Sequence, residues 1–200
     1  MNKYNPNIHH RRSIRLKGYD YSLQGLYFIT ICCQDKICRF GHIQNNEMIL
    51  NEFGQIAYNE WVKLNQRFSN IELDAFQIMP NHIHFIIALN NINVSKPAPV
   101  GAGFTPAQNN NAQNQINQPM QIIGQPQGIA PTVSDIIGAY KSLVTNACLE
   151  IYKSKDEIMG RFLQRNYYEH IIRNEQSYQT IFEYIINNPK NWNNDKLYIL

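Results

Sequence analysis

The chain has 200 residues, of which 44% are hydrophobic, with a formal net charge of +3 and a pI near 8.6. This is enough to build the core of one domain, or of one domain with a sizeable insertion. Polar and basic residues follow Met1, and no run reaches the roughly eighteen apolar residues of a membrane span. The composition therefore excludes a membrane partner and predicts a cytoplasmic protein.

The four cysteines contain no C-x-x-C pair, because Cys32 and Cys33 are adjacent and Cys38 and Cys148 stand apart. This spacing argues against a zinc knuckle or a disulfide framework and favours reduced thiols.

Positive charge is concentrated in residues 1–18, which read as an irregular basic arm ahead of a single domain over residues 19–200. The arm carries Lys3, Arg11, Arg12, Arg15 and Lys17. Such an arm suits a polyanion such as nucleic acid, and a solvated tail is the alternative.

In chain order, residues 26–33 are almost continuously apolar and predict a central strand. Residues 39–43 and 48–50 then predict a hairpin. Asn51 precedes an amphipathic helix, whose core stripe is Phe53, Ile56, Ala57, Trp61, Leu64 and Phe68. Residues 71–79 and 82–89 predict two strands joined by a tight turn at Pro80 and Asn81.

Residues 91–131 are rich in Asn, Gln, Gly and Pro and predict a flexible low-complexity insertion. Thr132 or Ser134 then begins a helix in which Lys141 faces outwards. Residues 161–172 predict the last strand, and Asn174 begins a final helix that Pro189 ends. This order predicts an α+β, ferredoxin-like sandwich: an antiparallel sheet with helices on one face, plus a C-terminal helix.

Two histidines stand out in the strand over residues 82–89. Because side chains alternate along a strand, His82 and His84 share one face about 6.6 Å apart. Metal ligation is one explanation for such a pair, and burial in a core or an interface is the other.

The final helix contains a second pair, Tyr184 and Asn188, which lie one turn apart on one face. An amide oxygen from Asn188 would complement two imidazoles around Mn²⁺ or Mg²⁺ and leave positions for phosphodiester oxygens. The alternatives are a half-buried helix tyrosine and a C-terminal cap at Asn188 before Pro189.

Both motifs, Met79-Pro80-Asn81-His82-Ile83-His84 and Tyr184-Ile185-Ile186-Asn187-Asn188-Pro189, resemble those of the REP-associated tyrosine transposases, a branch of the single-tyrosine HUH transposases. The resemblance runs from about residue 11 to residue 192, except for the insertion. It implies His82, His84 and Asn188 as ligands of a divalent metal, Mg²⁺ or Mn²⁺, and Tyr184 as the nucleophile that cleaves single-stranded DNA.

The implied function is a single-stranded DNA endonuclease and strand transferase for DNA transposition, acting through a 5′-phosphotyrosine, with hairpin-forming DNA as partner. Homodimers occur in the wider superfamily. Expected DNA contacts are Arg11, Arg12, Arg15, Lys17, Arg165, Tyr167 and Arg173. Two alternatives remain: a non-catalytic nucleic-acid-binding module on the same fold, and a phosphodiester hydrolase that uses water. No residue stands out as a general base, although Glu183 and His170 are conceivable.

Overall fold

A computed structural model of the chain describes residues 23–90 and 131–198. The strands are β1 (Gly25–Cys32), β2 (Gly41–Gln44), β3 (Glu47–Leu50), β4 (Ile71–Ile78), β5 (His82–Leu89) and β6 (Tyr168–Ile172). The helices are α1 (Glu52–Val62), the short α2 (Leu64–Arg67), α3 (Val133–Ser154) and α4 (Glu175–Asn187). Two 3-10 segments, Gln34–Lys36 and Pro189–Asn194, complete the described elements.

Four strands form an antiparallel sheet in the order β4-β5-β1-β6, and β2 and β3 form a separate hairpin. Helices α1 and α3 cover one face of the sheet over the larger core cluster, which includes the rings of Tyr27, Trp61 and Phe85. Helix α4 covers part of the other face, where Tyr178, Ile181 and Phe182 pack around Ile86 and Ile185. The predicted ferredoxin-like α+β sandwich with an extra C-terminal helix is confirmed.

Side chains begin the helices at three of the predicted positions. The side chain of Asn51 accepts hydrogen bonds from the first turn of α1, Thr132 forms a capping box with Asp135, and Asn174 accepts from Ser177. Each cap satisfies a backbone N–H that the helix itself leaves without a partner. The predicted helix starts are therefore confirmed.

The predicted strand over residues 161–172 is too long. Only Tyr168–Ile172 pairs with β1 as a strand, while Leu163 forms an isolated bridge with Cys33.

The outward-facing position predicted for Lys141 is also wrong, because its side chain binds the irregular segment that precedes β6. Its ammonium group donates to the carbonyl oxygens of Gln164 and Arg165, both at 2.7 Å, and so satisfies backbone groups that no strand partner meets.

Asn90 and Pro131, the described residues on either side of residues 91–130, both hydrogen bond to Asn70. The backbone N–H of Asn90 donates to the Asn70 carbonyl at 2.8 Å, and the Asn70 amide donates to the Pro131 carbonyl at 3.0 Å. The predicted basic arm over residues 1–18 lies outside the described residues, and so does the predicted insertion apart from Pro131.

All four cysteines are free thiols, as their spacing predicts. Among the helices of the described residues, none is both long and apolar enough to cross a membrane.

Candidate functional site

The two histidines lie side by side on β5, on the sheet face that α4 partly covers. His82 pairs with Cys32 and His84 with Thr30 across the β1–β5 ladder. The ring centroids are 4.4 Å apart, and both side chains are buried. His82 and His84 therefore share one face of the sheet, as strand alternation predicts. They lie on β5, whose residues are nearly all buried.

Hydrogen bonds fix the orientation of the His82 ring. Its Nδ1 lies 2.8 Å from Oδ1 of Asn81, whose amide nitrogen donates to the Lys36 and Leu197 carbonyls. Because an amide oxygen can only accept, the proton of His82 sits on Nδ1. The Nε2 lone pair is buried, and no group of the described residues hydrogen bonds to it.

His84 bridges the sheet to α4. Its Nδ1 lies 2.8 Å from the Thr30 hydroxyl, and its Nε2 lies 3.1 Å from the hydroxyl of Tyr184. The Phe28 ring packs at 5.3 Å from the His84 ring and at 6.2 Å, edge-on, from the Tyr184 ring. Tyr184 remains 43% exposed, so the residue that contacts His84 also faces solvent.

Asn188 follows one turn later and is buried. It stands at the C-cap position of α4, as the alternative reading of this residue predicts, but its side chain turns to Asp195: Nδ2 donates to Oδ2 at 2.8 Å. Its Oδ1 is buried and has no hydrogen-bond partner within residues 23–90 and 131–198. A cap explains the position of this residue in the helix, but not the unpartnered oxygen.

Asp195 is the site residue that the sequence reasoning missed. Its Oδ2 also accepts a hydrogen bond from the Tyr184 hydroxyl at 3.0 Å, while its Oδ1 accepts from the Leu197 N–H at 2.6 Å. One signal was available, because Asp195 is the only acidic residue after Glu183. Its distance from α4 could not be read from periodicity, since the 3-10 segment Pro189–Asn194 intervenes.

Burial sets the protonation of the histidines. It lowers the pKa of His82 to about 4, against a partial opposing effect of the Asp195 charge, and lowers the pKa of His84 well below its usual range. Both rings are therefore neutral at pH 7, the form that binds a metal. Burial, followed by the Asp195 carboxylate, raises the pKa of Tyr184, so the phenol is protonated.

The low pKa of His82 predicts a pH-dependent stability. The unfolded chain binds a proton at this imidazole below about pH 6.5, but the folded chain does so only below about 4. The free energy of unfolding should therefore fall as the pH drops through this window, by on the order of 3 kcal/mol from His82. Urea unfolding in a chelator at pH 7 and pH 4 measures it. The His82→Asn variant should reduce the difference by about this amount and leave the contribution of His84, and an unchanged difference would contradict the assignment.

The donor set fits a divalent metal ion. Ligand atoms of His82, His84 and Asp195 lie within 4.8 Å of one another. Two buried atoms of this cluster, Nε2 of His82 and Oδ1 of Asn188, have no hydrogen-bond partner in the described part of the chain and are ligand atoms of the kind that such an ion uses. An unpartnered buried polar atom is costly, and a bound cation would satisfy both.

The other predicted site residues are not brought to this cluster. Arg165 and Arg173 are exposed, whereas Tyr167 is half-buried against the core under α1 and α3, with its hydroxyl 3.2 Å from that of Ser134. Tyr168, in contrast, pairs with Thr30 and is 54% exposed. Arg11, Arg12, Arg15 and Lys17 lie outside the described residues.

Comparison with known proteins gives one relative of nearly equal length. The chain is 41% identical, over 200 residues, to an uncharacterized protein of Haemophilus influenzae, with 98% of each chain covered. The two proteins belong to one family. No protein-family model matches the chain.

The solved structures add the fold. The structure of a REP-associated tyrosine transposase bound to a REP hairpin aligns with a TM-score of 0.51 at 18% identity, covering 89% of this chain and 74% of that chain. At this identity the likeness concerns the path of the backbone. The family represented by this chain and its Haemophilus relative therefore has a transposase-like fold.

Proposed function

We propose that this protein is a metal-dependent endonuclease and strand transferase that acts on single-stranded DNA through a tyrosine nucleophile, the chemistry of DNA transposition. One observation carries the proposal: the Tyr184 hydroxyl lies 3.1 Å from His84 Nε2, beside two buried ligand atoms, His82 Nε2 and Asn188 Oδ1, that have no hydrogen-bond partner among the described residues. The histidine pair lies on β5, whereas the tyrosine and the amide lie on α4 and at its C-cap, about 100 positions later in the sequence. The transposase-like fold supports the same reading.

His82, His84 and Asn188 would hold the metal ion, Mg²⁺ or Mn²⁺, with the Asp195 carboxylate beside them. When bound, the ion supplies Lewis acidity to the phosphate and positive charge beside the phenol. That charge is needed, because Tyr184 otherwise stays protonated at neutral pH. A neutral His84 can face a cation without repulsion.

In the proposed reaction the Tyr184 oxygen attacks a phosphodiester phosphorus. A tyrosine O–P bond forms and the bond from phosphorus to the 3′ oxygen breaks, which leaves a 5′-phosphotyrosine and a free 3′-OH. The phenolic proton passes to Asp195 Oδ2, which already accepts its hydrogen bond at 3.0 Å, and the 3′ oxygen takes a proton from solvent. Attack by another 3′-OH reverses the step and joins new ends.

The proposal includes DNA contacts outside the metal site. Arg165 and Arg173 are exposed and available to phosphates. Tyr167 is also proposed as a contact, although it packs against the larger core cluster, on the other face of the sheet from the histidines. Arg11, Arg12, Arg15 and Lys17 are proposed for sequence-independent phosphate contacts, which weaken with added salt.

Incubation with labelled single-stranded hairpin DNA and Mn²⁺ or Mg²⁺ tests the proposed function. We expect cleavage that a chelator abolishes, one product with an extendable 3′-OH, and the other linked to protein. Cleavage that releases a free 5′-phosphate end without a protein link would favour the water-using hydrolase. Metal-independent binding without cleavage would favour the binding module.

Asn81 should act as a positioning residue for the metal centre. It orients His82 and, through the Leu197 carbonyl, holds the segment that carries Asp195. Loss of such an outer partner typically costs 10–100-fold in metal affinity. We expect Asn81→Ala to weaken Mn²⁺ binding in calorimetry by about tenfold or more. Asn59→Ala, on the exposed surface of α1, is the control; equal affinities of the two variants would contradict this role.

A further inference from the structure

A cleft of about 530 Å³ opens next to the candidate site, between the β2–β3 hairpin and the 3-10 segment Pro189–Asn194. Trp192 lies between the cleft and the histidine pair. Its side chain lines the cleft, and its ring lies 5.9 Å from the His82 ring at an interplanar angle of 37°. A molecule in the cleft is therefore separated from the histidine pair by one aromatic ring.

The residues that line the cleft combine aromatic, amide and cationic groups. Trp192 and Tyr198 stand edge to face, with centroids 5.1 Å apart, and Lys190 supplies a positive charge. Asn45, Asn46 and His42 supply hydrogen-bonding groups, and none of the described residues lining the cleft is acidic. Aromatic contact, amide hydrogen bonds and a cation are the means by which proteins bind an unpaired nucleotide.

The hairpin fixes the backbone that carries the two amides. Asn45 and Asn46 have φ values of 53° and 65° and join Gln44 to Glu47, which are paired across the hairpin. Two consecutive left-handed residues make a tight two-residue turn that few residue types tolerate. Asparagine tolerates it and also offers both a donor and an acceptor to a base edge.

We infer that this cleft binds one unpaired base of the nucleic-acid strand whose phosphate reaches Tyr184, and that Asn45 and Asn46 select which base it is. The identity of that strand rests on the proposed function. Lys190, exposed at the cleft, contacts the adjoining phosphate. The candidate site then cuts beside a base that the protein reads directly, in addition to any DNA shape that it recognises.

Equilibrium binding without cleavage tests this inference. The full chain carrying Tyr184→Phe, in a chelator, is titrated against fluorescein-labelled ten-nucleotide single strands of dA, dC and dT, followed by anisotropy. We expect about a tenfold preference among the three. Asn45→Gly/Asn46→Gly, which keeps the left-handed turn because glycine adopts positive φ freely, should reduce the preference to less than about twofold.

Two lysine variants separate base reading from charge. Lys190→Ala should weaken binding of all three strands alike and reduce the salt dependence by about one phosphate contact. Lys63→Ala, an equal loss of charge at the exposed end of α1, should do neither.

Equal binding of the three strands by the parent, or a preference that persists in the double glycine variant, would overturn the inference. Because the assay needs neither metal nor cleavage, these results are independent of the proposed reaction. DNA cleavage by a chain without base preference would overturn the cleft assignment alone. A preference that depends on Asn45 and Asn46, in a chain that never forms an adduct, would support the cleft and overturn the reaction.

Discussion

The Tyr184→Phe variant should form no covalent adduct with single-stranded DNA and should lose cleavage by at least about 10³-fold. The substitution removes only the hydroxyl group, with its contacts to His84 and Asp195, and keeps the ring that packs against Phe28. DNA binding and the fold should therefore persist. Denaturing gel electrophoresis of the labelled DNA measures both the adduct and the cleavage.

Tyr168→Phe and Tyr178→Phe are matched controls for this variant. Tyr168 is an exposed tyrosine on the same face of the sheet, and Tyr178 lies on the same helix. Both should cleave at close to the parent rate. An adduct that survives in Tyr184→Phe and disappears in one of the controls would move the nucleophile to that residue.

Removal of either histidine should produce the second large effect. We expect His82→Ala and His84→Ala each to weaken Mn²⁺ binding by at least about 100-fold and to abolish metal-dependent cleavage. Each substitution removes an imidazole nitrogen from a buried cluster whose other members cannot move to replace it. Calorimetry, or the paramagnetic resonance signal of free Mn²⁺, gives the affinity.

The control for the histidine variants is His170→Ala. His170 is exposed on β6 and pairs with Phe28, on the same face of the sheet. It should leave metal affinity unchanged, and circular dichroism should show that all three variants are folded. Undiminished Mn²⁺ affinity in folded His82→Ala or His84→Ala would show that the histidines are a buried structural pair and do not bind metal.

The sequence predicts most of the fold because its signals are local. The alternation over residues 82–89 fixes which face carries the histidines, and the caps at Asn51 and Asn174 place the helix starts. The pairing of Tyr184 with Asn188 also follows from helical spacing alone. These elements are therefore accessible without a structure.

The contacts that the sequence does not predict are those made by loops and irregular segments. Asp195 follows a 3-10 segment, and Asn81 reaches the Leu197 carbonyl, 116 positions along the chain. Lys141 lies partly buried because it satisfies backbone carbonyls of a segment that only bridges to β1. Such contacts have no period and depend on tertiary packing, which the hydrophobic pattern does not encode.

The central claim is that Tyr184 becomes covalently linked to DNA, and peptide mapping tests it most directly. After reaction with single-stranded hairpin DNA and Mn²⁺, the protein is digested with nuclease and trypsin, and the peptide over residues 174–190 is sequenced by tandem mass spectrometry. This peptide contains two tyrosines, Tyr178 and Tyr184. We predict a nucleotide joined through its 5′-phosphate to Tyr184. DNA cleavage with this peptide unmodified, or with the nucleotide on Tyr178, would contradict the account.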